Sequence, residues 1–109
     1  MSTTERVEMY LRNTDIRRIR EADCVDYLHT SLSKFRRDLL GEGTCYSELR
    51  DKEKKRRAIE IIKSKKNCSA WDLAAYCGYA APKSAERAFK KWFGVTLGVS
   101  RLSNNHRGY

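Results

Sequence analysis

The sequence lacks the features that mark secreted, membrane-spanning and metal-dependent proteins. Its first ten residues contain no apolar run of signal-peptide length, and no segment approaches the roughly 20 apolar residues of a membrane span. The cysteines are widely spaced, without a CxxC pair or paired histidines nearby, so we expect no zinc site. We therefore expect a cytoplasmic, nucleoid-associated protein with reduced thiols, several of them buried, at Cys24, Cys45, Cys68 and Cys77.

Residue patterns typical of enzymes are also missing. The chain has no glycine-rich phosphate loop, no pair of inward carboxylates and no Cys–His arrangement at helical spacing. The two histidines, His29 and His106, have no partner visible in the sequence. We therefore predict that the protein is not an enzyme and requires no cofactor.

Positive charge is what the sequence has in excess. Its 109 residues include 23 Lys and Arg against 14 Asp and Glu, a net charge of +9. This excess predicts a polyanionic partner, with nucleic acid ahead of an acidic membrane surface. A generic basic surface without a partner is the alternative. The length suits one compact domain or two very small ones.

The first 45 residues predict three helices. Val7, Tyr10 and Leu11 form an apolar stripe on a helix from Glu5 to Asn13, and a second helix runs from Thr14 or Asp15 to about Ala22. A break is predicted at Asp23 to Asp26. A third helix, from Asp26 to Leu40, buries an apolar face of Leu28, Leu32, Phe35 and Leu39. This pattern fits either a helix-turn-helix or a plain helical hairpin. In the first case the expected DNA contacts are Thr30, Ser33, Lys34 and Arg37.

Residues 46–66 predict one long helix that cannot bury itself, because Arg50 to Arg57 is almost entirely charged. We expect it to bridge two packed units with its middle in solvent. About 20 residues at 1.5 Å each span about 30 Å, close to the roughly 34 Å of one turn of B-DNA.

Residues 69–94 predict the best-formed motif of the chain. Ser69 and Asp72 form a capping box, Gly78 permits a tight turn, and Pro82 suits the first position of the next helix. This bracing helix, glycine turn and second helix are what a helix-turn-helix requires. The second helix has an inward stripe of Ala85, Ala88, Phe89 and Trp92. The side chains left for DNA contact are Lys83, Ser84, Glu86, Arg87, Lys90 and Lys91.

The segment DLAAYCGYAAPKSAERAFKKWFGVT resembles the second helix-turn-helix of the AraC/XylS family of bacterial transcription regulators. The matching residues are Leu73-Ala74, Gly78-Tyr79, Arg87-Ala88-Phe89-Lys90 and Phe93-Gly94-Val95, and Arg101 lies where the family motif closes. Upstream, Phe35-Arg36-Arg37 and Arg57-Ala58-Ile59 are similar to the ends of the family's first recognition helix and of its linker helix. Departures occur at Ala85, where the family usually has an aromatic residue, and at Pro82, where it often has a polar DNA contact.

The resemblance implies an all-α fold with two helix-turn-helix subdomains joined by a long linker helix, similar to the short, stand-alone members of the family. We assign residues 1–45 and 67–101 to the subdomains, 46–66 to the linker and 102–109 to a flexible tail. The expected function is sequence-specific binding of double-stranded DNA, as a monomer and as an activator of transcription, with two recognition helices in successive major grooves. The alternative is a non-catalytic interaction protein that docks on RNA polymerase or another regulator and binds DNA weakly or without sequence preference. No membrane partner is expected.

Overall fold

The protein is all-α over the residues that our computed structural model describes, which are 1–15, 20–65 and 67–95. In these ranges the predicted fold class is confirmed, because no strand occurs among the helices. None of the helices found there has the length and apolar character needed to cross a membrane. The helices are α1 (Thr3–Asn13), α2 (Glu21–Tyr27), α3 (Leu32–Gly41), α4 (Tyr46–Ser64), α5 (Ala70–Cys77) and α6 (Pro82–Phe93).

The chain divides into two compact units, Met1–Glu53 and Lys54–Tyr109, and each has its own core. The core of unit 1 includes Val7, Leu11, Cys24, Val25, Leu28, Phe35, Leu39, Tyr46 and Leu49. The core of unit 2 includes Ala58, Cys68, Leu73, Ala74, Cys77, Ala85 and Phe89. The division falls inside α4, and the predicted subdomain boundaries after residues 45 and 66 stay predictions.

Helix α1 begins two residues earlier than predicted because it is capped from two directions. The Ser2 hydroxyl accepts a hydrogen bond from the Glu5 N–H at 3.1 Å. The Glu42 carboxylate, directly after α3, accepts bonds from the N–H groups of Thr3 at 3.2 Å and Thr4 at 2.8 Å. Hydrogen bonds from Thr4, and to a lesser extent Thr3, hold the pKa of Glu42 below its usual value. Because α1 ends at Asn13, its predicted end is confirmed.

The predicted break at Asp23 to Asp26 is wrong. These residues lie inside α2, and Cys24 and Val25 are buried. The turn instead spans residues 28–31, where the Thr30 N–H donates to the Val25 carbonyl at 3.3 Å. Ser31 then caps α3 by accepting a bond from the Lys34 N–H at 3.2 Å.

The predicted helix from Asp26 to Leu40 is therefore two elements, α2 and α3. Its supposed core residue Leu32 is the first residue of α3 and is exposed, whereas Leu28, Phe35 and Leu39 are buried as expected. The helix predicted from Thr14 or Asp15 to about Ala22 is not continuous, because Arg20 is extended and a new helix, α2, begins at Glu21. Residues 16–19 of that prediction lie outside the described residues.

Unit 2 confirms the local signals of the sequence. Ser69 and Asp72 form the capping box at α5, and Gly78 follows α5 in the left-handed conformation with φ +86°. Pro82 opens α6, and Gly94 ends it with φ +75°. Of the predicted inward stripe of α6, Ala85 and Phe89 are buried and Ala88 and Trp92 half-buried. The remainder of the predicted second subdomain and the predicted tail, beyond Val95, lie outside the described residues.

Helix α4 is less solvated in its middle than predicted. Glu53 is only 6% exposed, and Lys54, Arg56 and Arg57 are half-buried. Ala58, Ile61 and Ile62 pack in or against the core of unit 2, whereas Ile59 is exposed. The helix ends at Ser64, and Lys66 at the predicted end lies outside the described residues.

Candidate nucleic-acid interface

Helix α6 separates an apolar face from a strongly polar one. Ala85 and Phe89 anchor it in the core of unit 2, with Trp92 and Phe93 packed against that core. The six side chains predicted to contact DNA are all exposed, and they are Lys83, Ser84, Glu86, Arg87, Lys90 and Lys91. The sequence therefore places every predicted contact of α6 on the accessible side of the helix.

The six exposed side chains of α6 are not equivalent. Successive residues of an α-helix are rotated by about 100°, so positions i, i+4 and i+7 follow one line along its surface. Lys83, Arg87 and Lys90 form such a line, directly opposite the buried face. Ser84 and Lys91 lie on one flank of this line and Glu86 on the other. A molecule that binds the exposed side of α6 therefore contacts these three cations first.

The start of α6 adds to this positive character. Ala81 precedes the helix and provides no side-chain cap, and Pro82 has no N–H to donate. The N-terminal end of a helix carries a partial positive charge, and its unpaired N–H groups can bond phosphate oxygens. Lys83 and Ser84 are the next two residues, so the backbone N–H groups and the Lys83 ammonium group contribute positive charge at the same end of the helix.

The exposed cations of α6 differ from those of α4 in their partners. Within each unit, Arg50 of α4 pairs with Asp51 at 3.8 Å, Lys52 with Glu8 at 3.0 Å, and Arg56 with Glu60 at 2.9 Å. Among the described residues, Lys83, Arg87, Lys90 and Lys91 form no ion pair. Much of the charge of α4 is thus compensated locally, whereas that of α6 remains open to an external anion.

Helix α3 presents a smaller polar surface in unit 1. Phe35 and Leu39 are buried, and the predicted contacts Ser33, Lys34 and Arg37 are exposed. Arg37 lies opposite the buried face by helical rotation, with Ser33 and Lys34 on either side. These three predicted contacts therefore share one surface.

Thr30, the fourth predicted contact in unit 1, differs from the others. It lies in the turn before the cap residue Ser31 and is half-buried. Its hydroxyl oxygen is buried, with no hydrogen-bond partner among the described residues. The turn also contains His29 at φ +54°, a left-handed conformation that is uncommon for residues other than glycine.

The sequence prediction missed three residues of the α3 surface. Arg36 donates two hydrogen bonds to one Glu21 oxygen, from Nη2 at 2.6 Å and Nε at 3.1 Å, and so braces α3 against α2. Leu32 and Leu40 are apolar but exposed, at 42% and 76%. Ser31 was the sequence signal that could have shown the exposure of Leu32. Because Ser31 caps α3 by accepting a bond from the Lys34 N–H, Leu32 becomes the first residue of that helix.

Three of the four cysteines belong to the cores of the two units. Cys24, Cys68 and Cys77 are buried and Cys45 is exposed, and none of the four takes part in a disulfide. Burial raises the pKa of Cys24 to about 11 and that of Cys77 to about 12, so both stay protonated at neutral pH. Over the described parts of the chain, no three potential ligands are grouped as a metal site would require.

The chain matches no protein-family model and no curated protein. Its fold is similar to a solved structure, the crystal structure of a DNA-binding transcriptional dual regulator from Escherichia coli K-12. The TM-score is 0.85 at 23% sequence identity, over 94% of this chain and 98% of the other. At this identity the likeness establishes the fold, and the chemistry of the surface has to be argued from the residues themselves.

Proposed function

We propose that this protein is a sequence-specific DNA-binding transcription regulator of the AraC/XylS type, acting as an activator in the bacterial cytoplasm. The observation that carries the proposal is the line of exposed cations Lys83, Arg87 and Lys90 on a helix that follows a glycine turn. A helix of this kind fits the major groove, which is about 12 Å wide. The fold that it shares with a DNA-binding regulator supports the same function.

Each exposed residue of α6 has a role that follows from its chemistry. Arg87 lies at the centre of the line and can donate two hydrogen bonds to guanine O6 and N7. Lys83 is one turn earlier and reads a neighbouring base, and Glu86 on the flank accepts from cytosine N4. Lys90 and Lys91 lie near the end of the helix and contact phosphates, which fix orientation without reading sequence. Ser84 donates to a phosphate or a base at the N-terminal end.

Unit 1 would supply the second recognition helix. Ser33, Lys34 and Arg37 on α3 read bases or phosphates in the adjacent major groove. Thr30 has its hydroxyl buried and fits a role in shaping the turn before α3 better than a base contact. Helix α4 has 19 residues, which correspond to about 28 Å at the rise of an α-helix. One chain with two different recognition helices binds an asymmetric site as a monomer.

A second candidate function rests on the exposed leucines of α3. Leu32 and Leu40 are unusual on a surface that contacts only DNA, and exposed apolar side chains are more often found where proteins bind one another. In this alternative, unit 1 docks on RNA polymerase or another regulator, and only unit 2 binds DNA. The two functions differ in the length of DNA that the protein protects.

Selection of bound fragments from random double-stranded DNA, in about 150 mM salt, tests the proposal because non-specific binding is weak under these conditions. We expect one enriched motif without two-fold symmetry. The matched control is the Lys83→Ala/Arg87→Ala variant, whose two exposed positions leave the core of unit 2 unchanged and which should lose the part of the motif read by α6. If neither protein enriches a motif, the proposed function is wrong.

A further inference from the structure

Unit 2 contains a continuous series of aromatic rings that ends on two neighbouring lysines of α4. The Lys54 Nζ lies 4.2 Å from the centre of the Tyr79 ring, and the Lys55 Nζ lies 5.4 Å from that of Phe93. Between them, Tyr79 packs on Trp92 and Trp92 on Phe93, each at 6.3 Å between ring centres. We call these five residues the aromatic clasp.

The members of the aromatic clasp come from the parts of unit 2 that set the direction of α6. Tyr79 lies in the turn directly after Gly78, and its N–H donates to the Ala74 carbonyl at 2.8 Å. Trp92 and Phe93 are the last two residues of α6. Lys54 therefore contacts the ring of Tyr79 in the turn before α6, and Lys55 contacts the ring of Phe93 at the end of α6.

A second contact joins the same point of α4 to the helix-turn-helix. The Cys77 thiol donates a hydrogen bond to the Lys54 carbonyl at 3.4 Å. The backbone of Lys54 thus meets the end of α5, while its ammonium group lies over Tyr79 in the turn. Both contacts fall within unit 2, and Lys54 itself is half-buried.

We propose that Lys54, with Lys55 in a lesser role, is a positioning residue for α6 and makes no phosphate contact. This inference rests on the proposed DNA-binding function. From the sequence alone, the cations of residues 50–57 are natural candidates for phosphate contacts. An ammonium group over an aromatic ring is held by the negative face of that ring, and replacing it with a neutral side chain loosens the turn and α6 together.

Counterion release separates positioning from phosphate contact. A lysine on a phosphate contributes about 0.9 to the slope of log Kobs against log salt, whereas a positioning lysine contributes nothing to that slope. Lys54→Met keeps the apolar stem and removes the charge. We expect it to weaken binding to the selected DNA site by about threefold to tenfold at an unchanged slope. Lys91→Met is the matched control, because this exposed cation of α6 is assigned to a phosphate, and its slope should fall by about 0.9.

Three further variants make the result decisive. Lys54→Arg should restore affinity, because a guanidinium group also binds an aromatic face. Tyr79→Leu should weaken binding as Lys54→Met does, and the double variant should be no weaker than either single one. A fall of the slope by about 0.9 in Lys54→Met, with additive effects in the double variant, would show a phosphate contact and overturn the inference.

A measurement on the free protein keeps this inference separable from the proposed function. Ring currents should move the NMR signals of the Lys54 ε-methylene protons upfield, and Tyr79→Leu should abolish the shift while circular dichroism shows a folded protein. Absence of the shift in the wild type would overturn the clasp whether or not DNA is bound. Wild-type protein that shows the shift but selects no DNA sequence would contradict the proposed function and, with it, the positioning role.

Discussion

At the scale of single residues, Arg87 and Lys91 allow base contact to be told from phosphate contact. Both are exposed cations on α6, but Arg87 lies opposite the buried face and Lys91 lies on a flank. We expect Arg87→Ala to cost about 1–3 kcal/mol on the selected site and to relax specificity at one base pair. Lys91→Ala should weaken binding to all sequences alike and reduce the salt slope by about one unit.

Titration of each variant against the selected site and against random DNA, at several salt concentrations, measures both effects. Because both side chains are exposed, neither substitution removes core packing, and each serves as the control for the other. Equal losses on specific and random DNA for Arg87→Ala would show that this residue does not read bases.

Burial could be predicted from the sequence where it follows the spacing of apolar residues within one helix. Ala85 and Phe89 follow the period of an α-helix within one unbroken element, so their burial is visible in the sequence. The sequence pattern predicts the wrong solvent exposure for Leu32 and for Glu53. Exposure of Leu32 depends on where the preceding turn falls, and burial of Glu53 depends on what packs against α4, which no local pattern shows.

At the scale of elements, the start of α5 has a pH-dependent stabiliser. Asp72 accepts bonds from the Ser69 N–H at 3.1 Å and hydroxyl at 2.9 Å, and its other oxygen lies 2.9 Å from the Lys65 Nζ. The hydrogen bond from Lys65, followed by those from Ser69, lowers the pKa of Asp72 to about 2 from an ordinary value of 3.8. A carboxylate whose pKa is lower in the folded state stabilises the fold at pH values above its pKa in the unfolded state. This stabilisation is lost as the pH falls through its pKa in the folded state.

We therefore expect the wild type to be more stable than Asp72→Asn at neutral pH, with a constant difference down to about pH 4. The difference should then shrink as the pH falls towards about 2 and approach zero below that pH, where Asp72 is protonated and uncharged like asparagine. Urea unfolding of both proteins across this range measures it. Lys65→Met is the control, since its effect should disappear in the Asp72→Asn background. A difference that does not change with pH would contradict the assignment.

The boundaries of elements were predictable where the chain carries its own stop and start signals. Ser69, Gly78, Pro82 and Gly94 each mark a helix end by local chemistry, and all four mark it in the structure. The turn between α2 and α3 has no glycine, and its left-handed residue is His29. Nothing in the sequence distinguishes that histidine from a helical one, so the sequence predicts the break several residues too early.

At the scale of the whole molecule, the question is whether one unit or both bind DNA. The net charge of +9 accounts for attraction to any polyanion, but it does not show whether unit 1, unit 2 or both bind the DNA. The two separate cores allow a substitution on α3 to leave unit 2 intact. A variant with Ser33→Ala, Lys34→Ala and Arg37→Ala changes only exposed positions of unit 1 and uses the complete chain.

We expect the wild type to protect two adjacent major grooves of the selected site, about 20 base pairs, in a DNase or hydroxyl-radical footprint. The triple variant should protect only the groove read by α6, with weaker affinity and a smaller salt slope, because the cations of α3 no longer displace counterions. Leu32→Ala/Leu40→Ala is the matched control on the same helix, since it removes apolar surface and leaves the polar contacts of α3 in place. A wild-type footprint of one groove, unchanged by the triple variant, would show that unit 1 does not bind DNA and would favour docking of α3 on a protein partner through its exposed leucines.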